Sequence, residues 1–292
     1  MSIAAVIVTY NPDEKFPERL AAIARECGRV YVVDNGSKNQ AALKKITRPG
    51  RVKLLALGQN TGIAHAQNVG LSAAFAAGAE AVILFDHDST PRPGLAKALL
   101  AAAAGRRIAG PRIYDINKQA FALHPQFGGA FFRRVPAPET GTLPRILMVI
   151  ASGCLVPRAV YERVGGMREE YFIDYVDWEY CLRARHRFGI ETVIAGAAVL
   201  DHARGERTGK KIGPLTVYPP GYSAFRYGHI FRNRATLLRE YLFKDRAFVA
   251  FEFVSLARDL LLLVAEPRAL SLFWLACTSW FGALFRGSRP AN

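Results

Sequence analysis

The chain has 292 residues, of which 51% are hydrophobic, and it carries a formal net charge of +15. This hydrophobic share excludes an intrinsically disordered chain, and the length suffices for one large domain or for a domain with a C-terminal appendage. The four cysteines are widely spaced and form no Cys-x-x-Cys pair, so the sequence favours neither a zinc site nor a disulfide framework.

The first ninety residues alternate between short apolar runs and helical patterns. Strands are predicted in AAVIVTYN, RVYVVDNGS, VKLLALGQN and AVILFDHDS, with helices through Arg25, through Ile46 and from Ile63 to Ala77. This alternation predicts βαβ units and a mostly parallel sheet. The N-terminus enters the strand pattern at once, without a basic segment before an apolar one, so we expect no signal peptide and a cytoplasmic chain.

Each of these four strands ends in polar residues. They are Thr9, Tyr10 and Asn11, then Asp34 and Asn35, then Asn60, and finally Asp86 and Asp88. Ligands of open α/β sheets bind at the carboxyl ends of the strands, so we expect the four loops to converge on one site. The loop after the first strand, TYNPDEKF, contains no Gly-x-Gly-x-x-Gly, which argues against a dinucleotide site.

Asp86 and Asp88 form the most informative acidic pair. Alternate residues of a strand face the same way, so both carboxylates project to one side where the strand ends. Mg²⁺ and Mn²⁺ favour oxygen ligands and leave their other positions to water and phosphate. The pair therefore predicts a divalent cation held against a nucleotide diphosphate, with a solvated turn as the alternative interpretation.

A second acidic group, Asp174, Asp177 and Glu179, opens the helix predicted in YFIDYVDWEYCLRARHR. Carboxylates in the first turn of a helix are favoured by its dipole, so a capping role is one interpretation. A general base at the mouth of the crevice is the other. Three acids this close also repel one another, which favours proton uptake by one of them. Trp178, between them, is a candidate to stack on a sugar ring.

The C-terminal third is both basic and apolar. From Ala203 onward there are 14 Lys and Arg residues against 6 Asp and Glu residues, a net charge of +8. Helices are predicted in YSAFRYGHIFRNRATLLREY, with its arginines opposite an apolar side, in AFVAFEFVSLARDLLLLVAE and in ALSLFWLACTSWFGALF. Glu252, Arg258 and Asp259 interrupt the second of these segments.

The third C-terminal segment has 17 uncharged residues, at the lower limit for crossing a bilayer. We therefore expect helices that lie on an anionic membrane surface, with a homo-oligomer interface or core helices as alternatives. The sequence carries no nucleic-acid-binding signature, so no nucleic-acid partner is expected.

Together these segments resemble the inverting GT-A glycosyltransferases of family 2, in particular the bacterial rhamnosyltransferase-like branch. The segments that match are VIVTYN, VVDNGS, NTGIAHAQNVG, FDHDS, ASGCLVPRAVYERVGGMREEYFIDYVDWEYCLRAR and LDHARG. His87 between the two acids and Val176 before Asp177 depart from the family pattern. The resemblance implies an α/β GT-A domain over residues 1–215 and a C-terminal amphipathic, membrane-associating helical region over residues 216–292.

The resemblance also implies roles for individual residues. A nucleotide sugar would be bound by Thr9, Tyr10, Asn11, Asp34, Asn35, Asn60, Gly62, Asn68 and Asp86. Asp88 would bind Mg²⁺ or Mn²⁺ directly, with Asp86 and His202 completing the metal site. Asp177 would be the general base, with Glu179 beside it and Asp174 as the second candidate for that role.

The activity implied is a single displacement that inverts the anomeric carbon. The donor implied is dTDP-L-rhamnose, and the acceptor is a glycan or a polyprenyl-diphosphate-linked glycan of a bacterial surface polysaccharide. The enzyme would be peripheral on the inner face of the cell membrane. Alternatives are another donor, such as a UDP-hexose or UDP-galactofuranose, a nucleotidyltransferase, or a non-catalytic scaffold that keeps the fold.

Overall fold

A computed structural model of the protein describes residues 2–46, 50–202, 209–212 and 215–285. The chain divides into two compact units. The first comprises Met1–Gln126, Arg134–Phe172 and Val176–Ala203, and the second comprises Phe127–Arg133, Ile173–Tyr175 and Arg204–Asn292. Residues 203–205 of the LDHARG segment and Arg286 lie outside the described residues.

The first unit is built around a ten-stranded sheet. Its strands are β1 (Ile3–Thr9), β2 (Arg29–Asp34), β3 (Val52–Ala56), β4 (Ala81–Asp86), β5 (Ser89–Pro91), β6 (Ile108–Asp115), β7 (Ala120–Phe121), β10 (Thr142–Leu143), β11 (Leu155–Pro157) and β12 (Thr192–His202). A hairpin of β8 (His124–Gly128) and β9 (Phe131–Val135) lies between β7 and β10 in the chain, and its tip belongs to the second unit.

The strand order is β10-β12-β6-β11-β4-β1-β2-β3, with β5 paired to β12 and β7 paired to β6. The strands β3, β2, β1, β4, β6 and β12 run in one direction, and the short strand β11 runs against its neighbours β4 and β6. The predicted α/β class with a mostly parallel central sheet is confirmed. The adjacency of β3, β2, β1 and β4 places the carboxyl ends of the four predicted strands side by side.

Helices cover both faces of this sheet. They are α1 (Phe16–Glu26), α2 (Gln40–Ile46), α3 (Ile63–Ala76), α4 (Leu95–Ala103), α5 (Arg158–Val164) and α6 (Val176–Phe188), and a 3₁₀ turn lies at Glu169–Tyr171. Ala5 and Ile7 of β1 pack into the core cluster beneath α1 and α4. Val6 faces α3 and lies against Gly70 of that helix. The close approach depends on glycine, since a Cβ at this position would lie only 2.3 Å from Val6 Cγ1.

The second unit contains the strands β13 (Lys210–Ile212) and β14 (Leu215–Val217) and the helices α7 (Ala224–Tyr241), α8 (Arg246–Leu263) and α9 (Ala269–Phe285). Tyr227, Phe231, Leu263, Leu272 and Ala276 form its core. The C-terminal helices predicted from the sequence are confirmed. Among the described residues, no helix combines the length and apolar character needed to cross a bilayer.

One detail of the prediction for α7 is wrong. Not all its arginines lie on a solvated side, because Arg234 is 2% exposed. Its guanidinium forms salt bridges with Glu252 at 2.8 Å and with Asp259 at 2.6 Å. Two of the charges that interrupt α8 are therefore used to balance a buried cation inside the second unit.

Candidate active site

Two carboxylates and an imidazole meet at the end of β4. Asp86 is the last residue of β4, Asp88 lies in the turn that follows, and His202 ends β12. The pairing of β5 with β12 sets Ser89 opposite His202, which brings the imidazole to the acidic turn. One ligand atom each from Asp86, Asp88 and His202 lies within 4.8 Å of the others.

These three residues fit a divalent cation. All are half-buried, so the group is neither sealed in the core nor fully solvated. The Nδ1 atom of His202 is 3.6 Å from Oδ1 of Asp88, so the imidazole lies directly beside this carboxylate. Carboxylate oxygens suit Mg²⁺ and Mn²⁺, and imidazole suits the transition metals. The structure thus brings the predicted metal ligands together from segments more than 110 residues apart.

The ends of β1 and β2 are joined through Asp34. This carboxylate is fully buried and accepts hydrogen bonds from the Ser37 hydroxyl at 2.5 Å and the Thr9 hydroxyl at 3.3 Å. The Ser37 N–H also donates to it, at 3.2 Å. In this arrangement Asp34 fixes the turn after β2.

Sequence reasoning gave no role to Ser37, although it follows Asp34 at the spacing where a serine hydroxyl bonds a turn carboxylate. Its Oγ also accepts from the Asn11 N–H at 2.8 Å. Asn11 has a positive φ of 49° and accepts at Oδ1 from the Lys38 N–H. Tyr10 is 46% exposed, so its ring is available to a ligand at this edge.

Asn35 and Asn60 connect the ends of β2 and β3. The Asn35 amide donates to Asn60 Oδ1 at 3.0 Å and accepts at its own Oδ1 from the Thr61 N–H at 2.8 Å. The glycine between them is required, because a Cβ at Gly36 would lie 2.5 Å from the Gln59 carbonyl carbon. The loops after β1, β2 and β3 therefore form one hydrogen-bonded rim.

Gly62 and Asn68 contact the segment that leads into the second acidic group. Gly62 has φ +90°, and a Cβ there would lie 2.7–2.9 Å from Phe172. Asn68 accepts from the Met167 N–H at 2.6 Å and donates to the Glu169 carboxylate at 2.8 Å. Burial alone would raise the pKa of Glu169, but the bonds from Asn68 and His65 hold it below its ordinary value.

Asp177 is the second residue of α6. Its carboxylate is half-buried and accepts from the Trp178 N–H at 2.9 Å, and Trp178 is itself half-buried. Burial raises the pKa of the Cys154 thiol, and the nearby charges of Cys181 and Asp177 raise it further. The Cys154 carbonyl accepts the N–H of Leu84, which lies two residues before Asp86 in β4. The Asp177 charge therefore acts on a residue that is bonded to β4.

The other two acids of this group are paired with arginines. Glu179 is 3% exposed and bonds Arg183 at 2.8 Å, and Arg183 also donates to the carbonyls of Val164 and Gly166. Asp174 belongs to the second unit, where both of its oxygens accept from Arg226 at 2.9 Å. The arginines offset the expected repulsion among the three acids.

Comparison with known proteins gives the class. Residues 4–165 match the model of "Glycosyl transferase family 2". The chain is also 35% identical, over 242 residues, to the "dTDP-rhamnosyl transferase RfbF" of Shigella flexneri, covering 82% of this chain and 80% of that protein. The chain therefore belongs to glycosyl transferase family 2, and it is a glycosyltransferase.

Solved structures share the fold. The crystal structure of GalNAc-T7 with UDP, GalNAc and Mn²⁺ has a TM-score of 0.60 at 14% identity, covering 82% of this chain and 48% of that one, so the chain spans about half of that protein. S. aureus TarS 1–349 has a TM-score of 0.57 at 16% identity, covering 98% of this chain and 81% of that one. S. aureus TarS 1–349 in complex with UDP-GlcNAc has a TM-score of 0.55 at 17% identity, covering 97% and 80%.

Proposed function

We propose that this glycosyltransferase moves L-rhamnose from dTDP-L-rhamnose to a glycan or polyprenyl-diphosphate-linked acceptor, with inversion at the anomeric carbon. The observation that carries the proposal is the group formed by Asp86, Asp88 and His202 at the carboxyl end of β4. The donor is inferred from the relative named as a dTDP-rhamnosyl transferase. Residues 1–215 would form the transferase domain.

We assign donor binding to the rim formed by the loops after β1, β2 and β3. The buried bonds of Asp34 and the amide bonds between Asn35 and Asn60 fix this rim before a ligand arrives, which lowers the entropic cost of binding. Tyr10 and Asn11 would contact the nucleotide, while the Thr9 hydroxyl holds the Asp34 carboxylate in place by a hydrogen bond. Gly62 and Asn68 would act by holding residues 167–172 against α3.

The leaving diphosphate develops negative charge as the bond to C1 of the sugar breaks. A divalent cation bound by Asp86, Asp88 and His202 would stabilise that charge as a Lewis acid. The mixed oxygen and nitrogen ligands favour Mn²⁺ over Mg²⁺, which prefers oxygen alone.

The Asp177 carboxylate would take the proton of the acceptor hydroxyl while the acceptor oxygen bonds C1 from the opposite face. As this bond forms, the C1–oxygen bond to dTDP breaks, and dTDP leaves with the electron pair. Trp178 would stack on one of the sugars. Because one displacement occurs with no enzyme nucleophile, a β-linked donor gives an α-rhamnoside.

A donor screen tests this assignment. The purified chain is incubated with dTDP-L-rhamnose, UDP-glucose, UDP-galactose, UDP-galactofuranose and GDP-mannose, with Mn²⁺, with Mg²⁺ or with EDTA, and a membrane lipid extract as acceptor. We expect release of dTDP alone, faster with Mn²⁺ and abolished by EDTA, and an α-linked product by NMR. Release of UDP would show that the donor is a UDP-sugar and not dTDP-L-rhamnose. Full activity in EDTA would show that the reaction needs no metal.

We also propose that residues 216–292 dock on the anionic inner surface of the cell membrane. Leu270, Phe273, Trp274 and Phe281 are 52–87% exposed and recur along α9 at helical spacing. Phe253, Val254 and Leu261 of α8 and Val264, which follows this helix, are also exposed. These exposed apolar stripes lie within residues 203–292, a segment of net charge +8, and this combination suits a bilayer with anionic headgroups.

Vesicle sedimentation tests the membrane proposal. We expect the chain to sediment with phosphatidylglycerol-rich vesicles, and less with pure phosphatidylcholine or at high salt. Leu270→Glu should release it, whereas Leu123→Glu, the same change at an exposed residue of the first unit, should not. A chain that ignores vesicles but forms a dimer that Leu270→Glu dissociates would assign the stripe to a subunit interface.

A further inference from the structure

Two buried serines connect the three candidate metal ligands. Ser89 and Ser152 are both fully buried, and they lie 63 residues apart in the chain. Their hydroxyl oxygens are 2.7 Å apart, and this contact joins the first residue of β5 to the segment that precedes β11. Neither residue belongs to the ligand group itself.

The hydrogen bond between the two serines has a defined donor and acceptor. Ser152 Oγ accepts the backbone N–H of Asp86 at 3.1 Å. Its own proton points to Ser89 Oγ, the acceptor at 2.7 Å. Ser89 Oγ in turn lies 2.8 Å from His202 Nδ1 and 3.4 Å from Asp88 Oδ1. A single chain of hydroxyls thus touches the backbone of one candidate ligand and the side chains of the other two.

An imidazole binds a metal only through a nitrogen without a proton. If His202 keeps its proton on Nδ1, Ser89 Oγ accepts it at 2.8 Å, and Nε2 is left with its lone pair. Ser89 then donates its own proton to the Asp88 carboxylate. Every hydroxyl proton has an acceptor in this arrangement, as buried polar groups require. Groups that hold ligands in this way commonly change metal affinity when they are removed.

We propose that Ser89 and Ser152 are positioning residues that hold Asp86, Asp88 and His202 in the geometry and tautomer that bind the divalent cation. The inference rests on the proposed metal site. Ser152 holds the end of β4 through the Asp86 N–H, and it also fixes the orientation of the Ser89 hydroxyl. Ser89 in turn orients both the His202 imidazole and the Asp88 carboxylate.

Mn²⁺ affinity, measured by EPR on the full chain without donor, tests this inference. Ser89→Ala and Ser152→Ala each remove one hydroxyl and add no bulk, and we expect each to weaken Mn²⁺ binding by about 10–100-fold. Ser72→Ala, the same change at an exposed position of α3, is the matched control and should bind as wild type does. Because the two serines act in series, the double variant should lose little more than the weaker-binding single variant.

Two further readouts separate positioning from a general loss of structure. The thermal unfolding midpoint without metal should stay near that of wild type, while the rise produced by Mn²⁺ should shrink with the lost affinity. dTDP binding in EDTA should be unchanged. Wild-type Mn²⁺ affinity in both serine variants would overturn this inference and leave the metal proposal intact. A wild-type chain that binds no Mn²⁺ would overturn both.

Discussion

The two acidic groups of this protein differ in how they are assembled. Asp86 and Asp88 meet His202 from a distant segment, and the three ligand atoms lie within 4.8 Å of one another. Asp174, Asp177 and Glu179 are neighbours in the chain, yet Glu179 and Asp174 each pair with a different arginine. Sheet topology brings the first group together. In the second group, Glu179 pairs with an arginine four residues away and Asp174 with one 52 residues away.

This difference shows when a charge pattern predicts chemistry. Acids at the carboxyl end of a buried strand have no helical neighbour three or four residues away, so the sheet topology decides which side chains they meet. Acids in the first turns of a helix meet basic residues one turn later, as Glu179 meets Arg183. Glu179 and Asp174 form salt bridges with arginines, whereas Asp177 accepts from the N–H of Trp178, so we expect structural roles for the first two and the role of base for Asp177. Replacing each acid by its amide in turn tests this distinction.

Asp177→Asn should have the largest effect on activity. Removing a general base lowers kcat by roughly 10²–10⁴-fold, because the acceptor hydroxyl loses its proton acceptor. The KM for dTDP-L-rhamnose, Mn²⁺ binding and the thermal unfolding midpoint should stay near wild type. Measurement is by dTDP release with the lipid acceptor.

An anionic acceptor distinguishes a base from a residue that only shapes the site. Azide needs no deprotonation, so it should restore donor consumption by Asp177→Asn and give an inverted glycosyl azide. It should not rescue Asp88→Asn, in which the proposed loss is at the metal. Wild-type kcat in Asp177→Asn would assign the base to another residue.

The fold could be predicted closely because its signals are local. The 17 uncharged residues 269–285 coincide with α9 (Ala269–Phe285), and the helix predicted from Tyr222 starts at Ala224 after an N-cap, where the Ser223 hydroxyl accepts the Arg226 N–H at 3.3 Å. Strand ends at Thr9, Asp34 and Asp86 follow from apolar runs that stop at polar residues.

Contacts between distant segments could not be predicted in this way. The burial of Arg234 depends on Glu252 and Asp259, which lie one helix further along the chain, and helical periodicity alone cannot reveal that pairing. Ser152 has no local signal at all, since its role depends on a residue 63 positions away. Family resemblance supplied His202 for the metal group, and periodicity gave no reason to choose it.

Glu179→Gln should have the second-largest effect, on stability and not on chemistry. Breaking a buried ion pair by removing one partner costs about 3–5 kcal/mol, since the Arg183 charge stays buried without its carboxylate. Denaturant unfolding should show this loss, while kcat per folded molecule stays within a few-fold of wild type. Replacing Arg183 as well, by Met, should recover part of the stability. A large fall in kcat with unchanged stability would move Glu179 into the reaction.

Asp174→Asn should have the smallest effect. Its salt bridge with Arg226 is partly solvated, with the two side chains 21% and 38% exposed, so its loss should cost about 1 kcal/mol of stability. Asp174 has φ +60°, a conformation that asparagine tolerates, so the backbone should not change. Because both carboxylate oxygens already accept from Arg226, we expect the acceptor hydroxyl to lose its proton to another residue, and kcat should fall less than tenfold. If instead Asp174→Asn lost activity as severely as Asp177→Asn and azide rescued it, Asp174 would be the base, and the arginine at 2.9 Å would have to release it during the reaction.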